Sequence, residues 1–317
     1  MAEWLFESGI GETRAALIVD GTIVEAAIEL PGLREGTVVE ARLVERLSPT
    51  LARVEWPGGE AMLDRPPPGL TLGRTLLVRI TREALPEGRR WKRAKAVPAE
   101  GDAVPAPGPD LLARCTATGH PLRHLLAHHP DALEAAGWSE VLAEADTGEV
   151  AFAGGLLRIA LTPAMTVIDI DGEPPLDRLA VAGATAAGEA ILRLGLTGSI
   201  GIDFPTLANK AERVAVAAAL DAALNNRGPL ACERTAVNGF GFLQLIRPRR
   251  RMSLPEQVQA DRTGAAARAL LRQLERTPPG STTPTAVHPS VMARIEREGW
   301  LAELARRTGV VPRLEIR

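Results

Sequence analysis

The sequence predicts a multidomain chain of mixed α+β and α/β class. Three observations carry that expectation: a hairpin signal opens the chain, a series of short punctuated strands follows, and the second half alternates strands with helices. At 317 residues the chain is long enough for two or three small domains with cores of their own.

Thr13 to Val19 and Thr22 to Leu30 read as two strands, rich in apolar and β-branched residues. Asp20-Gly21 between them is a strong turn signal, and Pro31-Gly32 ends the unit. Thr37 to Leu47, Thr50 to Trp56, Glu60 to Asp64 and Thr75 to Thr81 read as further short strands. Ser48-Pro49, Pro57-Gly58-Gly59 and Pro66-Pro67-Pro68-Gly69 separate them. Such a series over residues 34–97 predicts a small barrel, and the OB type is the commonest small barrel that binds oligonucleotides. Residues 98–109 form a Pro/Gly/Ala linker, and 109–145 read as helical. His120, His124, His128 and His129 then fall at helical spacing. Pro121 and Pro130 punctuate that stretch and no carboxylate stands among the histidines, so a surface helix is a better reading than a transition-metal site.

Leu156 to Leu161 and Thr166 to Ile170 read as strands joined at Thr162-Pro163. A helix from Arg178 to Leu194, a strand from Ser199 to Phe204, a helix from Leu207 to Asn225 and a strand from Phe240 to Ile246 follow. Strand, helix, strand implies a largely parallel pairing with a right-handed crossover. The tail, 255–317, reads as a helix over Thr263 to Glu275, helix again over Ser290 to Gly299 and Leu301 to Arg307, and a short strand within Val310 to Ile316.

Two of these strands break into acid: Val167-Ile168-Asp169-Ile170-Asp171-Gly172 and Ser199-Ile200-Gly201-Ile202-Asp203-Phe204. Asp169 and Asp171 share a face of one strand, and Asp203 comes from its neighbour. Sites in such sheets lie outside the carboxyl ends of the strands. Three converging carboxylates are hard oxygen ligands suited to Mg²⁺, which commonly meets substrate phosphate. Phosphoryl-transfer chemistry is therefore expected at Asp169, Asp171 and Asp203. Each Asp taken alone reads equally as a turn former or helix cap.

Hydrophobic content of 45% with 24% charged residues is ordinary for a globular protein, and a net charge of −2 argues against a chain-wide polyanion binder. Local patches remain. Arg89, Arg90, Trp91, Lys92, Arg93 and Lys95 form one; Arg247, Arg249, Arg250 and Arg251 form another. Such runs can neutralise phosphates, and the plain alternative is a solvated charged face. Tyrosine is absent and aromatics make up 3%, which leaves little material for stacking bases. Cys115 and Cys232 stand far apart, which argues against a thiol zinc site and a disulfide scaffold and fits a reducing cytoplasm. The sequence offers no basic-apolar leader and no apolar run of membrane-spanning length, so no membrane partner is expected.

Residues 154–172, Gly-Gly-Leu-Leu-Arg-Ile-Ala-Leu-Thr-Pro-Ala-Met-Thr-Val-Ile-Asp-Ile-Asp-Gly, resemble the catalytic signature of the ribonuclease E/ribonuclease G family. Gly198-Ser199-Ile200-Gly201-Ile202-Asp203-Phe204 resembles its second signature. Asn238-Gly239-Phe240-Gly241-Phe242-Leu243, with Arg247 and Arg249, resembles its third. Thr13 to Gly32 is similar to the family's opening hairpin. The resemblance implies an RNase H-like portion over 1–33 and 98–150, an inserted OB-type RNA-binding barrel over 34–97, a DNase I-like catalytic region over 151–254 and a small C-terminal domain over 255–317. It implies Asp169 and Asp203 as metal ligands. Asp171 stands where the family has an Asn that orients water and phosphate, and Gly239 where it has an Arg. The family's Cys-Pro-x-Cys zinc-link is absent, the 5′-monophosphate sensor region is too short, and Arg53 and Met62 stand near the places of its stacking aromatics. Trp56 and Trp91 are the stacking candidates that remain.

The expectation is a Mg²⁺-dependent endoribonuclease on single-stranded RNA, with Mn²⁺ as the alternative metal and no zinc. The rival is a non-catalytic RNA-binding or ribosome-associated module. A phosphatase or DNA nuclease using the same acidic edge is a third reading. A homodimer without a zinc-link, through helix 211–224 or the tail, and a monomer are both open.

Overall fold

A computed structural model describes residues 2–87, 90–226, 231–278, 284–310 and 312–317. Strands β1 (Glu3–Ser8), β2 (Thr13–Val19) and β3 (Thr22–Glu29) form an antiparallel meander. The β2–β3 turn has positive φ at both Asp20 (49°) and Gly21 (81°), the primed geometry that matches strand twist. The sequence reading omits β1. Trp4, Leu5 and Phe6 are buried in succession because both faces of this sheet are covered, so β1 lacks the alternation that marks a half-exposed strand.

The barrel strands are β4 (Val38–Ser48), β5 (Leu51–Trp56), β6 (Gly59–Asp64) and β7 (Thr75–Arg82). A small hairpin, β8 (Leu85–Glu87) and β9 (Arg90–Lys92), precedes the closing strand β10 (Ala94–Pro98). The barrel closes in the order β10-β6-β5-β4-β7, with β6–β10 parallel and the other pairs antiparallel. Small inward residues let five strands close tightly: Ala41, Ala52, Ala61, Ala94 and Ala96 interleave with Leu43, Val54, Leu63, Val78 and Ile80.

The stretch expected to be helical is mixed. Helix α1 (Leu111–Thr116) is capped by Asp110, and β11 (Leu122–His124) then pairs in parallel with β1. Helices α2 (Ala132–Ala135) and α3 (Trp138–Thr147) follow. His124 therefore lies on a strand beside Phe6, while His128 and His129 lie in a turn. The histidines share no helix face, because Pro121 and Pro130 punctuate the chain as their chemistry requires.

The second half holds β12 (Glu149–Phe152), β13 (Gly155–Leu161), β14 (Thr166–Gly172), α4 (Leu176–Arg193), β15 (Gly198–Asp203), α5 (Lys210–Asn225), β16 (Glu233–Arg234) and β17 (Phe242–Arg247). The sheet order is β12-β13-β14-β15-β17-β16, and β14–β15 is its parallel pair. Ile168, Ile170, Ile200, Ile202, Leu243 and Leu245 join a core with α4 and α5. The Ala/Gly-rich sequence of α4 permits this close packing: a Cβ at Gly188 would overlap Ala223 of α5, and one at Gly183 would overlap Ile170. That apolar core runs from Leu5 to Val258.

The chain ends in α6 (Leu254–Ala260), α7 (Arg262–Glu275), β18 (Thr285–Val287), α8 (Pro289–Arg297), α9 (Trp300–Thr308) and β19 (Leu314–Ile316), with β18 and β19 parallel. Helix α6 begins with a full capping box, Ser253 and Glu256. Ile10, Leu271, Leu274 and Leu304 form a satellite core. Buried charges bind this unit to the N-terminal strands. Glu12 accepts from Arg268 at 3.0 Å and also from Arg272, and Arg276 bridges Glu7 at 2.6 Å and Asp131 at 3.3 Å. No helix among the described residues is long and apolar enough to cross a membrane.

Candidate acidic site on the open sheet face

The helices cover one face of the six-stranded sheet. Strand alternation sends Val167, Asp169 and Asp171 to the other. Parallel register sets Asp169 directly beside Asp203 on the neighbouring strand, at a strand spacing of about 4.8 Å. Asp203 is exposed and Asp169 half-buried, so both carboxylates are reachable from solvent. Arg158, Ala160, Ser199, Gly201, Phe242 and Gln244 lie on this same face by register.

Asp171 does not complete a triad. Its carboxylate is ion-paired with Arg158 of β13, and among the described residues no group of three or more His, Cys, Asp or Glu could hold a metal ion. The expected convergence of three carboxylates reduces to a pair, with the third drawn off by a cation. Arg158 lies opposite Asp169 in the antiparallel β13–β14 register, and its guanidinium reaches the diagonal neighbour. The sequence reading missed Arg158. The signal was available, since a turn between Leu161 and Thr166 fixes 158 opposite 169.

The floor of the face is built by close contact. A Cβ at Gly201 would overlap the Phe242 ring, so glycine there lets that ring lie against the strand beside Asp203. Gln244 donates to Ser199 Oγ at 2.9 Å next to it. Beyond Asp203, Phe204 N–H donates to Gly241 O at 3.1 Å. Asn238 Oδ1 accepts from the N–H groups of Phe240 (2.9 Å) and Phe242 (3.1 Å), tying the turn into β17. Gly241 has φ of 84° and faces the Phe204 carbonyl at a distance no side chain would tolerate. Gly239 meets nothing and brings no charge to the site.

The basic runs are largely engaged within the protein. Arg247 donates to the Leu196 carbonyl at 2.5 Å and the Ile191 carbonyl at 3.2 Å, which fastens the end of α4. Arg249 pairs with Glu256; Arg250 and Arg251 pair with Glu35 at 3.0 and 2.8 Å, joining this segment to the start of the barrel. Lys92 pairs with Glu87, Arg93 with Glu60 at 2.5 Å and Lys95 with Asp64 at 3.4 Å. The Arg93 guanidinium holds the Glu60 carboxyl below the usual carboxylate range. Arg90 and Trp91 are exposed on β9, and Arg89 lies outside the described residues. Arg53 pairs with Glu45 at 3.0 Å, Glu60 at 3.3 Å and Glu55.

The β8–β9 hairpin meets the sheet at the start of β14 and β15. Pro86, Glu87, Met165, Ser199 and Arg249 line a cavity of ≈ 230 Å³ there. From Ser199 to Asp203 the open face runs about 13 Å. A larger cavity of ≈ 730 Å³ lies between the His128-His129 turn and α7–α9. None of the three aspartates lines it.

No protein-family model matches the chain, and no curated protein matches it in sequence.

Proposed function

We propose that this protein is a metal-dependent endoribonuclease acting on single-stranded RNA in processing or decay, a shortened relative of the ribonuclease E/ribonuclease G family that its motifs resemble. One observation carries the reading: Asp169 and Asp203 stand side by side, in register, on an open sheet face. Two adjacent carboxylates at solvent fit the donor set Mg²⁺ takes, one or two carboxylates with waters and substrate phosphate filling the rest. Asp169 and Asp203 would hold the ion, with Mn²⁺ as an alternative. The bound ion would polarise the scissile phosphate and lower the pKa of the attacking water. Asp171, ion-paired with Arg158, stands beside the two ligands with its charge offset. Phe242 and Gly201 give the face a flat floor along which a single strand can lie.

The barrel's strand order and its parallel β6–β10 pair support the OB-type reading. The strand 2–3 face of such barrels and the loop before their last strand bind oligonucleotides. Here that loop is the β8–β9 hairpin; its Pro86 and Glu87 meet the sheet, and its Trp91 is 59% exposed. In this reading 1–33 with 98–150 is the RNase H-like portion and 151–254 the DNase I-like catalytic region.

The test is cleavage of an end-labelled, unstructured RNA. Wild type should cut with Mg²⁺ and stop with EDTA. Asp169→Asn and Asp203→Asn should fold normally and lose about 100-fold or more, the scale on which single electrostatic groups act at a reacting centre. Intact RNA with wild type and Mg²⁺ sinks the proposal.

A second reading, a non-catalytic RNA-binding or ribosome-associated module, is favoured by the Arg158–Asp171 pair, which removes the third carboxylate. It requires RNA binding that survives both EDTA and Asp169→Ala.

A further inference from the structure

Phe240 is the most exposed large apolar side chain among the described residues, at 93%. A phenyl ring left in water forgoes the burial that normally stabilises it. Its backbone is nonetheless fixed: Asn238 Oδ1 accepts from its N–H, and Gly241 O accepts from Phe204 N–H one residue past Asp203. Asp203 pairs with Phe242, so Phe240 stands two residues beyond the acidic pair. It lies in the Asn238–Gly241 turn that leads into β17, and that turn is hydrogen-bonded to the residue after Asp203, which carries the ring next to the acidic pair. The barrel hairpin meets this sheet at the opposite end, beside Ser199.

We infer that Phe240 is a stacking platform for the base next to the scissile phosphate, on the side away from the barrel. This rests on the ribonuclease reading of Asp169 and Asp203. A bare aromatic face binds any base through its π surface, so the platform would position the strand without reading sequence. With 3% aromatics in the whole chain, a ring this exposed is one of few available for stacking.

The experiment uses the full chain and an unstructured RNA whose cut site is mapped with wild type. Phe240→Ala, Phe240→Leu and Phe240→Trp are compared in single-turnover cleavage, with melting temperature as the folding control. The RNA is also made with one abasic ribose at each position flanking the cut. Phe240→Ala and Phe240→Leu should cut about 5- to 150-fold more slowly at subsaturating RNA, the effect of losing one base–aromatic stack, and Phe240→Trp should retain the rate. On RNA lacking the one stacked base, wild type and Phe240→Ala should cut at the same reduced rate. The inference is overturned if Phe240→Ala matches wild type. It is equally overturned if leucine restores the rate, or if the alanine defect persists on every abasic RNA, as a protein-contact or structural role predicts. Wild type that leaves the RNA whole overturns the ribonuclease reading itself, a different result from an active wild type indifferent to residue 240.

Discussion

Arg158→Ala asks what the third carboxylate does. Arg158 and Asp171 are 55% and 46% exposed, so their ion pair contributes about 0–1 kcal/mol to stability. The variant should therefore fold and melt nearly as wild type does. Its effect on RNA is a separate matter. Asp171 lies two residues from Asp169 on β14, about 7 Å away along the strand. A unit charge at that distance is worth about 0.6 kcal/mol in water and about 2.4 kcal/mol at an effective dielectric of 20. Exposure places the site near the lower figure. Removing Arg158 leaves a bare negative charge facing an incoming phosphate, which should lower kcat/KM by about 3- to 10-fold. Salt near 0.5 M should shrink the difference, because exposed charges at this range are screened. Asp171→Asn in the same background should restore the rate by deleting the repulsion. Single-turnover cleavage of a labelled RNA by wild type, both single variants and the double variant reads out the cycle. An unchanged rate in Arg158→Ala, or a double variant no faster than Arg158→Ala, refutes the electrostatic account.

Arg14, 1% exposed and bound to Glu7 and Asp131, is tied into buried charge; Arg14→Ala should cost about 3–5 kcal/mol, seen as a lower urea midpoint. Gly201→Val drives a side chain into the Phe242 ring; it should destabilise by about 1–3 kcal/mol and slow cleavage more than that loss explains, and a variant as stable and active as wild type would falsify the packed-floor geometry. Burial raises the Glu83 carboxyl above its ordinary 4.5. A raised acid contributes stability that is present below 4.5 and fades as pH rises through the folded value, so Glu83→Gln should flatten the fall in urea midpoint above pH 4.5. Burial pushes the Cys115 thiol up to about 12, so iodoacetamide at pH 8 should label Cys115 only after unfolding, as peptide mapping would show.

Local turn chemistry made much of the fold readable. Asp20-Gly21 and the Pro/Gly breaks between the barrel strands fix chain reversals within a few residues, and the strands they bound fall within one or two residues of expectation. Strands defined by distant partners were not readable. β11 is three residues long and exists because β1, more than a hundred residues earlier, offers it an edge. β1 in turn is buried on both faces, so its apolar run carries no period. The helical expectation over 109–145 holds at α1, α2 and α3 and fails at β11 for the same reason: propensity is a weak prior, and pairing with β1 overrides it there.

The acidic pair and the basic runs differ in what a linear chain can disclose. Asp169 lies within the first strand and Asp203 ends the second of one strand–helix–strand unit, and such a unit pairs its strands in parallel, so their adjacency follows from local pattern. A charge run shows only its own sign. Glu35 lies 215 residues from Arg250, and nothing in either segment announces that they meet. The same holds for Arg247, whose Nη1 donates to carbonyls in and just past the last turn of α4. An RNA phosphate approaching Arg250, Arg251, Arg93 or Lys95 therefore competes with a carboxylate already in place. Net binding through those groups should be weaker, and its salt slope shallower, than their number suggests. In the proposed ribonuclease, positioning would then fall to the uncharged parts of the open face, the floor at Gly201 and the exposed Phe240 ring, and to the two aspartates that the sheet register alone brings together.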